Sequence, residues 1–433
     1  MLFVKRKFIV HSAQCYLALA SVLTLVLAMT MPSTSVAETT AAQPDTQLHA
    51  ASEQAGPIRV GLTVSRSGAL AQFGVLVERG LKLWQQDVNA RGNLLGREIE
   101  LVIYDDKSNT AEAAARYQQL LDEGVDLLVS PYSTPMTIAT RELIRTADVA
   151  MVSIASAPEI WDQAEPRIFG LYTPADHNMD PFLDLMVHRG LKRVAIAYQN
   201  SAFPQAVAQG VRAQATKRGL DLVFEEAYSP DAAQSVTDFA RIIERMKSTQ
   251  PQGIVVAGYL EDSIAFSKAA HRTGLVTDLI AFSGGPALRA YGNELPPNQA
   301  QGALSTVQWM RSVRMPGSFD FGFRYRNQHG TYPSYDAAGG YAAGQVLEAA
   351  IRLADSSDPG LVRTQLKTMK YRSILGHYRV DDRGQQTAKQ TYLVQWQDNH
   401  ISLVYPTHLA RWDLLYPLPW NRDSKTTPLE APP

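Results

Sequence analysis

Between residues 58 and 282, short runs of Val, Ile and Leu alternate with longer stretches whose apolar residues recur every three or four positions. A first series places strands at 58–64, 99–104, 125–129 and 149–154, with helices at 75–88, 111–121 and 136–144 between them. In the first helix Leu76, Gly80, Leu83, Trp84 and Val88 share one face. A second series repeats the rhythm: strands at 193–198, 221–227, 253–257 and 278–282, helices at 203–218, 235–247 and 261–272. Strands that alternate with helices of this length predict parallel sheets with helices on both faces. Near-continuous apolar strands say the same, because both faces of such a sheet are buried. The expected class is therefore α/β, in two similar lobes.

Residues 165–178 lie between the two series and form a candidate first crossover. After Gly302 the pattern gives a strand at 303–309, a helix around 319–328 and a long helix at 336–353. The stretch 375–405 reads as hairpin-like strands: 377–380, a turn at Asp381–Gly384, then 391–396 and 401–405. The proline-rich segment 406–433 reads as a C-terminal strap and tail.

The N-terminus has a different character. Lys5, Arg6 and Lys7 precede an apolar run from Tyr16 to Met31, and Ser35-Val36-Ala37 offers small residues at the positions a signal peptidase reads. This is the layout of a secretory signal peptide, residues 1–37, cleaved near Ala37. Ser21 and Thr24 interrupt the apolar run, which falls short of the roughly 20 residues a spanning helix needs. Residues 38–56, rich in Ala, Thr, Gln and Ser, read as a flexible leader. Cleavage removes three basic residues and takes the formal charge from −1 to −4. It also removes Cys15, the one cysteine, so neither a disulfide nor a thiolate is expected in the mature chain. A chain of 41 basic and 42 acidic residues carries no electrostatic footprint for nucleic acid.

No arrangement for catalysis emerges. The first helix is not opened by G-x-G-x-x-G, no phosphate-binding G-x-x-x-x-G-K-[ST] occurs, and the nine histidines are scattered without an H-E-x-x-H. Ser283 in Phe282-Ser283-Gly284-Gly285 lacks the preceding glycine of a nucleophile elbow. Asp105-Asp106 reads as a turn and helix-start pair. The expectation is a protein without enzymatic activity, metal or cofactor.

The strand ends offer something else. In open α/β sheets ligands bind beyond the carboxyl ends of the strands. Those ends carry Ser65-Arg66-Ser67-Gly68, Ser130-Pro131-Tyr132-Ser133-Thr134 and Ser153-Ile154-Ala155-Ser156-Ala157 in the first series. The second series carries Phe203, Gly258-Tyr259-Leu260-Glu261 and Ser283-Gly284-Gly285. Hydroxyls and free N–H groups at a helix start suit a carboxylate or amide oxygen. Aromatic rings facing them would cover an apolar ligand body.

In order along the chain stand IRVGLTVSRSGALAQFG, GLKLWQQDVNARGNLLGREIELVIYDD, VDLLVSPYST and GIVVAGYLEDSIAFSKAAHRTGL, followed by PSYDAAGGYAAGQVLEAA and YPLPW. This succession resembles the type I periplasmic solute-binding proteins of ABC importers, of the branched-chain amino acid and amide type. The resemblance implies two Rossmann-like lobes with parallel sheets, joined by three crossover segments and closing over a small-molecule ligand. It implies lobe 1 at 57–172 plus 305–371, and lobe 2 at 173–304 plus 372–405. Position by position, Ser133 and Thr134 resemble the pair that holds a ligand carboxylate. Ala155 and Ser156 resemble the second strand-end contact, Phe73 a ring lining the pocket, and Phe203 and Tyr259 the aromatic positions of lobe 2. The implied partner is a membrane permease, the compartment the periplasm and the state a monomer; the alternative is a ligand sensor on the same fold.

One departure stands out. Amino-acid binders of this type place an acidic residue after the strand at 278–283 to pair with the ligand ammonium, and here Ser283-Gly284-Gly285 occupies that stretch. Glu261 or Asp262 could substitute; otherwise the expected ligand is an amide, a keto or aromatic acid, or another carboxylate with an uncharged tail.

Overall fold

The structure, a computed structural model, describes residues 56–162, 165–230 and 235–420. The expected signal peptide, nearly all of the leader, and the tail from 421 lie outside the described residues. The first series folds as β1 (Ile58–Val64), α1 (Ala71–Ala90), β2 (Ile99–Asp105), α2 (Thr110–Asp122), β3 (Leu127–Val129), α3 (Thr134–Thr146), β4 (Met151–Ser153) and β5 (Ile168–Gly170). After α4 (Asp180–His188) the second series follows as β6 (Arg193–Gln199), α5 (Ala202–Lys217), β7 (Asp221–Tyr228), α6 (Val236–Lys247), β8 (Gly253–Ala257), α7 (Leu260–Arg272) and β9 (Leu279–Phe282). Two short helices, α8 (Arg289–Asn293) and α9 (Pro297–Ala300), lead to β10 (Leu304–Val307). The chain continues with α10 (Ser318–His329), α11 (Tyr335–Ala354), α12 (Pro359–Thr368), β11 (Tyr371–Ser373), β12 (Gly376–Tyr378), β13 (Tyr392–Gln397) and β14 (His400–Tyr405).

Two main sheets result. The five-stranded sheet has the order β2-β1-β3-β4-β5, with every pair parallel. The seven-stranded sheet has the order β14-β13-β10-β9-β8-β6-β7; it is parallel from β7 to β10 and antiparallel at β13 and β14. Burial on both faces explains the strand sequences: Ile254, Val255, Val256 and Ala257 of β8 are all essentially inaccessible. Each sheet carries its own apolar clusters, centred on Trp84 and Tyr341 in one half and on Phe239, Phe266 and Phe282 in the other.

The helix that seals the first half depends on glycine. A Cβ at Gly80 of α1 would fall 1.9 Å from the carbonyl oxygen of Ala337, and one at Gly340 of α11 would fall 2.2 Å from that of Val77. The two helices therefore touch backbone to backbone, and this fixes the start of α11 beside the first sheet.

The sheet memberships place three passages between the halves, with two differences from the sequence division. β10 pairs with β9 and β13 in the seven-stranded sheet, so a boundary at 305 would cut a strand; the passage comes after Val307. Ile374, Leu375, Tyr378 and Val380 sit in the apolar cluster of the first half, so that half extends past 372. The first passage runs from Leu171, packed with the first half, to Ala175, packed with the second. β12 also pairs with β11 in a separate ribbon instead of continuing into the β13–β14 hairpin, whose turn is made by Asp398 and Asn399, both with positive φ. Beyond it, Leu418 and Trp420 are buried, Leu418 bonding through its N–H to the Asp278 carbonyl and Trp420 through its indole to the Gln301 carbonyl, so residues 418–420 are pinned to the second half.

Candidate functional site

The carboxyl ends of both sheets open onto one cavity. All seven residues singled out from the sequence line it: Phe73, Ser133, Thr134, Ala155, Ser156, Phe203 and Tyr259. Traced by the centres of water-sized spheres it measures about 60 Å³, several times the roughly 10–15 Å³ that admits one water.

On the side of the five-stranded sheet, the loop after β3 delivers Tyr132, Ser133 and Thr134 to the first turn of α3. Ser133 has φ of 90°, a conformation that β-carbon sterics disfavour. Its carbonyl accepts the N–H and the hydroxyl of Thr137, which secures the turn. Among the described residues the hydroxyls of Ser133, Thr134 and Ser156 have no protein partner, and neither do the N–H groups of Ser133, Thr134 and Ser156. These donors converge on the cavity, with the positive end of the α3 dipole behind them.

The opposite wall is built differently. Tyr259 caps α7: the Asp262 carboxylate accepts its N–H at 2.6 Å and the Gln199 amide at 3.1 Å. Burial pushes Asp262 up to about 6 in spite of these two hydrogen bonds. The Ser283 hydroxyl donates to the Gly258 carbonyl and takes the Gly258 N–H. Asp262 is thus a helix cap and Glu261 an exposed residue; neither belongs to the cavity wall.

Rings cover the space between. Phe73 and Tyr132 stack with centroids 5.0 Å apart and planes inclined by 6°. Phe203 and Tyr259 meet at 6.2 Å, and so do Tyr172 and Tyr335. Burial drives the Tyr132, Tyr172 and Tyr335 hydroxyls well above the ordinary phenol range, so they stay neutral at physiological pH.

The crossovers supply the floor. The side-chain oxygen of Gln308 accepts the Thr173 N–H at 3.0 Å, which orients the amide nitrogen away from that bond. Asn178 accepts the Thr306 hydroxyl at 2.7 Å through its side chain and the Thr391 hydroxyl at 2.9 Å through its carbonyl. Among the described residues no Asp, Glu, Lys or Arg lines the cavity.

Tyr132 and Tyr335 also line the cavity; the sequence pattern places Tyr335 just before the long helix of 336–353 and gives neither ring a role. Tyr172, Asn178 and Gln308 lie where the chain passes between halves, and no periodicity marks such places. One expected cluster goes elsewhere. Ser65 donates to Asp106 at 2.6 Å, Arg66 pairs with Glu78 at 2.7 Å, and the Arg66 N–H is held by Asp105, so 65–68 builds a turn and not the cavity. Asp105 and Asp106 are the turn carboxylates the sequence suggested.

A family model described as periplasmic binding protein matches residues 57–400, most of the chain. The chain belongs to the periplasmic binding proteins. Members of this family bind solutes and are not enzymes, and the family works in the periplasm. The Leu/Ile/Val-binding protein homolog 7 of Brucella suis biovar 1 (strain 1330) is 22% identical over 392 residues, covering 86% of this binding protein and 96% of that one. The fold of this chain matches the substrate binding protein LivJ of Streptococcus pneumoniae, solved with isoleucine, at a TM-score of 0.70 and 21% identity over 80% of this chain and 97% of that one. A solute binding protein of an ABC transporter from R. palustris, solved with benzoate, matches at a TM-score of 0.69 and 19% identity over 81% and 96%. This binding protein thus has the type I fold of the leucine-binding group. No helix among the described residues is long and apolar enough to cross a membrane, and no cluster of His, Cys, Asp and Glu there could hold a metal.

Proposed function

We propose that this protein is the solute-binding component of an ABC importer and that its ligand is a small carboxylate with an apolar or aromatic body and no ammonium group. It is exported by the signal peptide of residues 1–37 and works as a monomer that hands its ligand to a membrane permease. The observation that carries the ligand assignment is the composition of the cavity wall: unpartnered hydroxyl and N–H donors at the start of α3, rings around them, and no carboxylate. Donors of this kind make charge-assisted hydrogen bonds to an anionic head. A zwitterionic amino acid would bring a buried ammonium with no acidic partner, at a penalty of several kcal/mol. Structural neighbours solved with isoleucine and with benzoate show that this fold accommodates either head-group chemistry.

A thermal-shift panel of benzoate, 3-phenylpropanoate, 4-methylpentanoate, leucine and phenylalanine tests the reading, because a ligand that binds only the folded state raises the unfolding midpoint. The simple acids are expected to give the largest shifts. A largest shift from leucine or phenylalanine overturns the ligand assignment.

A further inference from the structure

Two ionisable side chains stand behind the cavity wall without an opposite charge. Lys389, on the third crossover, donates its ammonium to the backbone carbonyl of Gln308, and its nitrogen lies 5.7 Å from the centre of the Tyr392 ring. Among the described residues no carboxylate pairs with it. Gln308 is itself part of the cavity wall, so the ammonium is bonded to the backbone of a wall residue. Through Gln308 and its bond to Thr173, Lys389 also ties the three crossovers together.

Asp336 lies in the first turn of α11, next to the wall residue Tyr335, and is fully buried. Its Oδ2 faces the Ser334 hydroxyl at 3.2 Å, and its Oδ1 has no partner among the described residues. The groups that face it are Tyr132, Tyr172, Tyr325 and Tyr335, all kept neutral by burial; Arg79 lies beyond Tyr325. Among the described residues Lys389 meets the Gln308 carbonyl and Tyr392, another tyrosine that burial keeps neutral.

Burial favours the uncharged form of both groups, bringing Lys389 down and Asp336 up to about 7. An anion in the cavity acts on both in one direction. It stabilises an ammonium and disfavours a second carboxylate. We propose that Lys389 and Asp336 make anion capture proton-linked: a carboxylate in the cavity holds Lys389 as the ammonium and Asp336 as the neutral acid, so binding draws protons from solution. The inference rests on the carboxylate reading above and adds to it the charge that the wall itself lacks.

The test is calorimetric titration of the mature protein with the strongest binder among benzoate, 3-phenylpropanoate and 4-methylpentanoate, at pH 6, 7 and 8.5, in buffers of different ionisation enthalpy. These acids stay ionised throughout, since carboxyl groups titrate near about pH 4. The expected result is proton uptake near neutrality and an affinity that falls at least tenfold from pH 6 to pH 8.5, the effect of about one unit of pKa change in one group. Lys389→Met should bind at least tenfold more weakly at pH 6, Lys389→Arg should recover that loss, and Asp336→Asn should flatten the fall above pH 7. Unfolding midpoints measured without ligand establish that each variant is folded. A pH-independent affinity with no proton exchange overturns the proposal and leaves the carboxylate reading standing. Failure of all three acids to bind, with or without binding of leucine, overturns both.

Discussion

The two walls of the cavity are made from the same kinds of residue and use them in opposite ways. At the start of α3 and just past β4, Ser133, Thr134 and Ser156 keep their donors free for the cavity. Across from them, Ser283 and Gly258 bond to each other and the Tyr259 N–H is taken by Asp262 behind the wall, while the rings of Phe203 and Tyr259 line the cavity. The first wall can grip a polar head, and the second can only cover a body. A small hydroxyl residue at a strand end is therefore not a ligand contact by itself; what matters is whether its neighbours have already satisfied it.

The contrast is broken most severely at the gripping wall. Ser133→Ala with Thr134→Ala should weaken carboxylate binding by about a hundredfold or more, since charge-assisted hydrogen bonds contribute roughly 1.5–3 kcal/mol each. Titration calorimetry checks this, and the free protein should remain about as stable as its parent, because neither hydroxyl has a protein partner to lose. An unchanged affinity would remove the gripping role from this loop.

Next in size is a change that asks the covering wall to grip. Gly284 has room, because a Cβ there would meet only the Gly258 carbonyl oxygen at 3.5 Å. Gly284→Asp should raise the affinity for leucine about tenfold or more and lower that for 4-methylpentanoate, following the ammonium–carboxylate pairing that the parent lacks. Competition titrations of the two ligands measure the shift.

A smaller effect is expected from Phe203→Ala, which removes cover and no hydrogen bond. Carboxylate binding should weaken about fivefold to tenfold, in line with the 1–2 kcal/mol of a partly buried ring, and the preference for acid over amino acid should not move. A changed preference would show that this wall also reads the head group.

The smallest effect concerns stability. The Asp336 carboxyl is held well above its ordinary value by burial, so the folded protein binds that proton more tightly than the unfolded chain. Its contribution is fully present below about pH 4, the unfolded carboxyl value, and is lost as pH rises through about 7. Asp336→Asn should therefore gain in unfolding midpoint relative to the parent as pH rises from 4 to 8, by a few degrees, as scanning calorimetry can follow. A constant difference across that range would show that Asp336 does not titrate as its surroundings require.

Much of this architecture is legible in the amino-acid order. The apolar runs of β1, β6 and β8 and the helical face of α1 carry the period of their environment, and both faces of each sheet are buried. The seven residues chosen at strand ends all reach the cavity because a parallel sheet sends its carboxyl ends to one rim. What escaped is decided by tertiary placement. β5 and β11 are three residues long, too short to show a period. The hydroxyls of Ser65 and Ser67 look like those of Ser133 and Thr134 until the Asp105 and Asp106 carboxylates fold against them. The crossovers, with Gln308 and Lys389, acquire their roles only when three distant segments lie side by side.

Leucine and 4-methylpentanoate differ only by the amino group, so their comparison isolates the missing acidic partner. Titration calorimetry of the mature protein with each, at pH 6, is the most direct test of an anion-gripping wall opposed by a merely covering one. Tighter binding of 4-methylpentanoate, by tenfold or more, is the predicted result; tighter binding of leucine would contradict it.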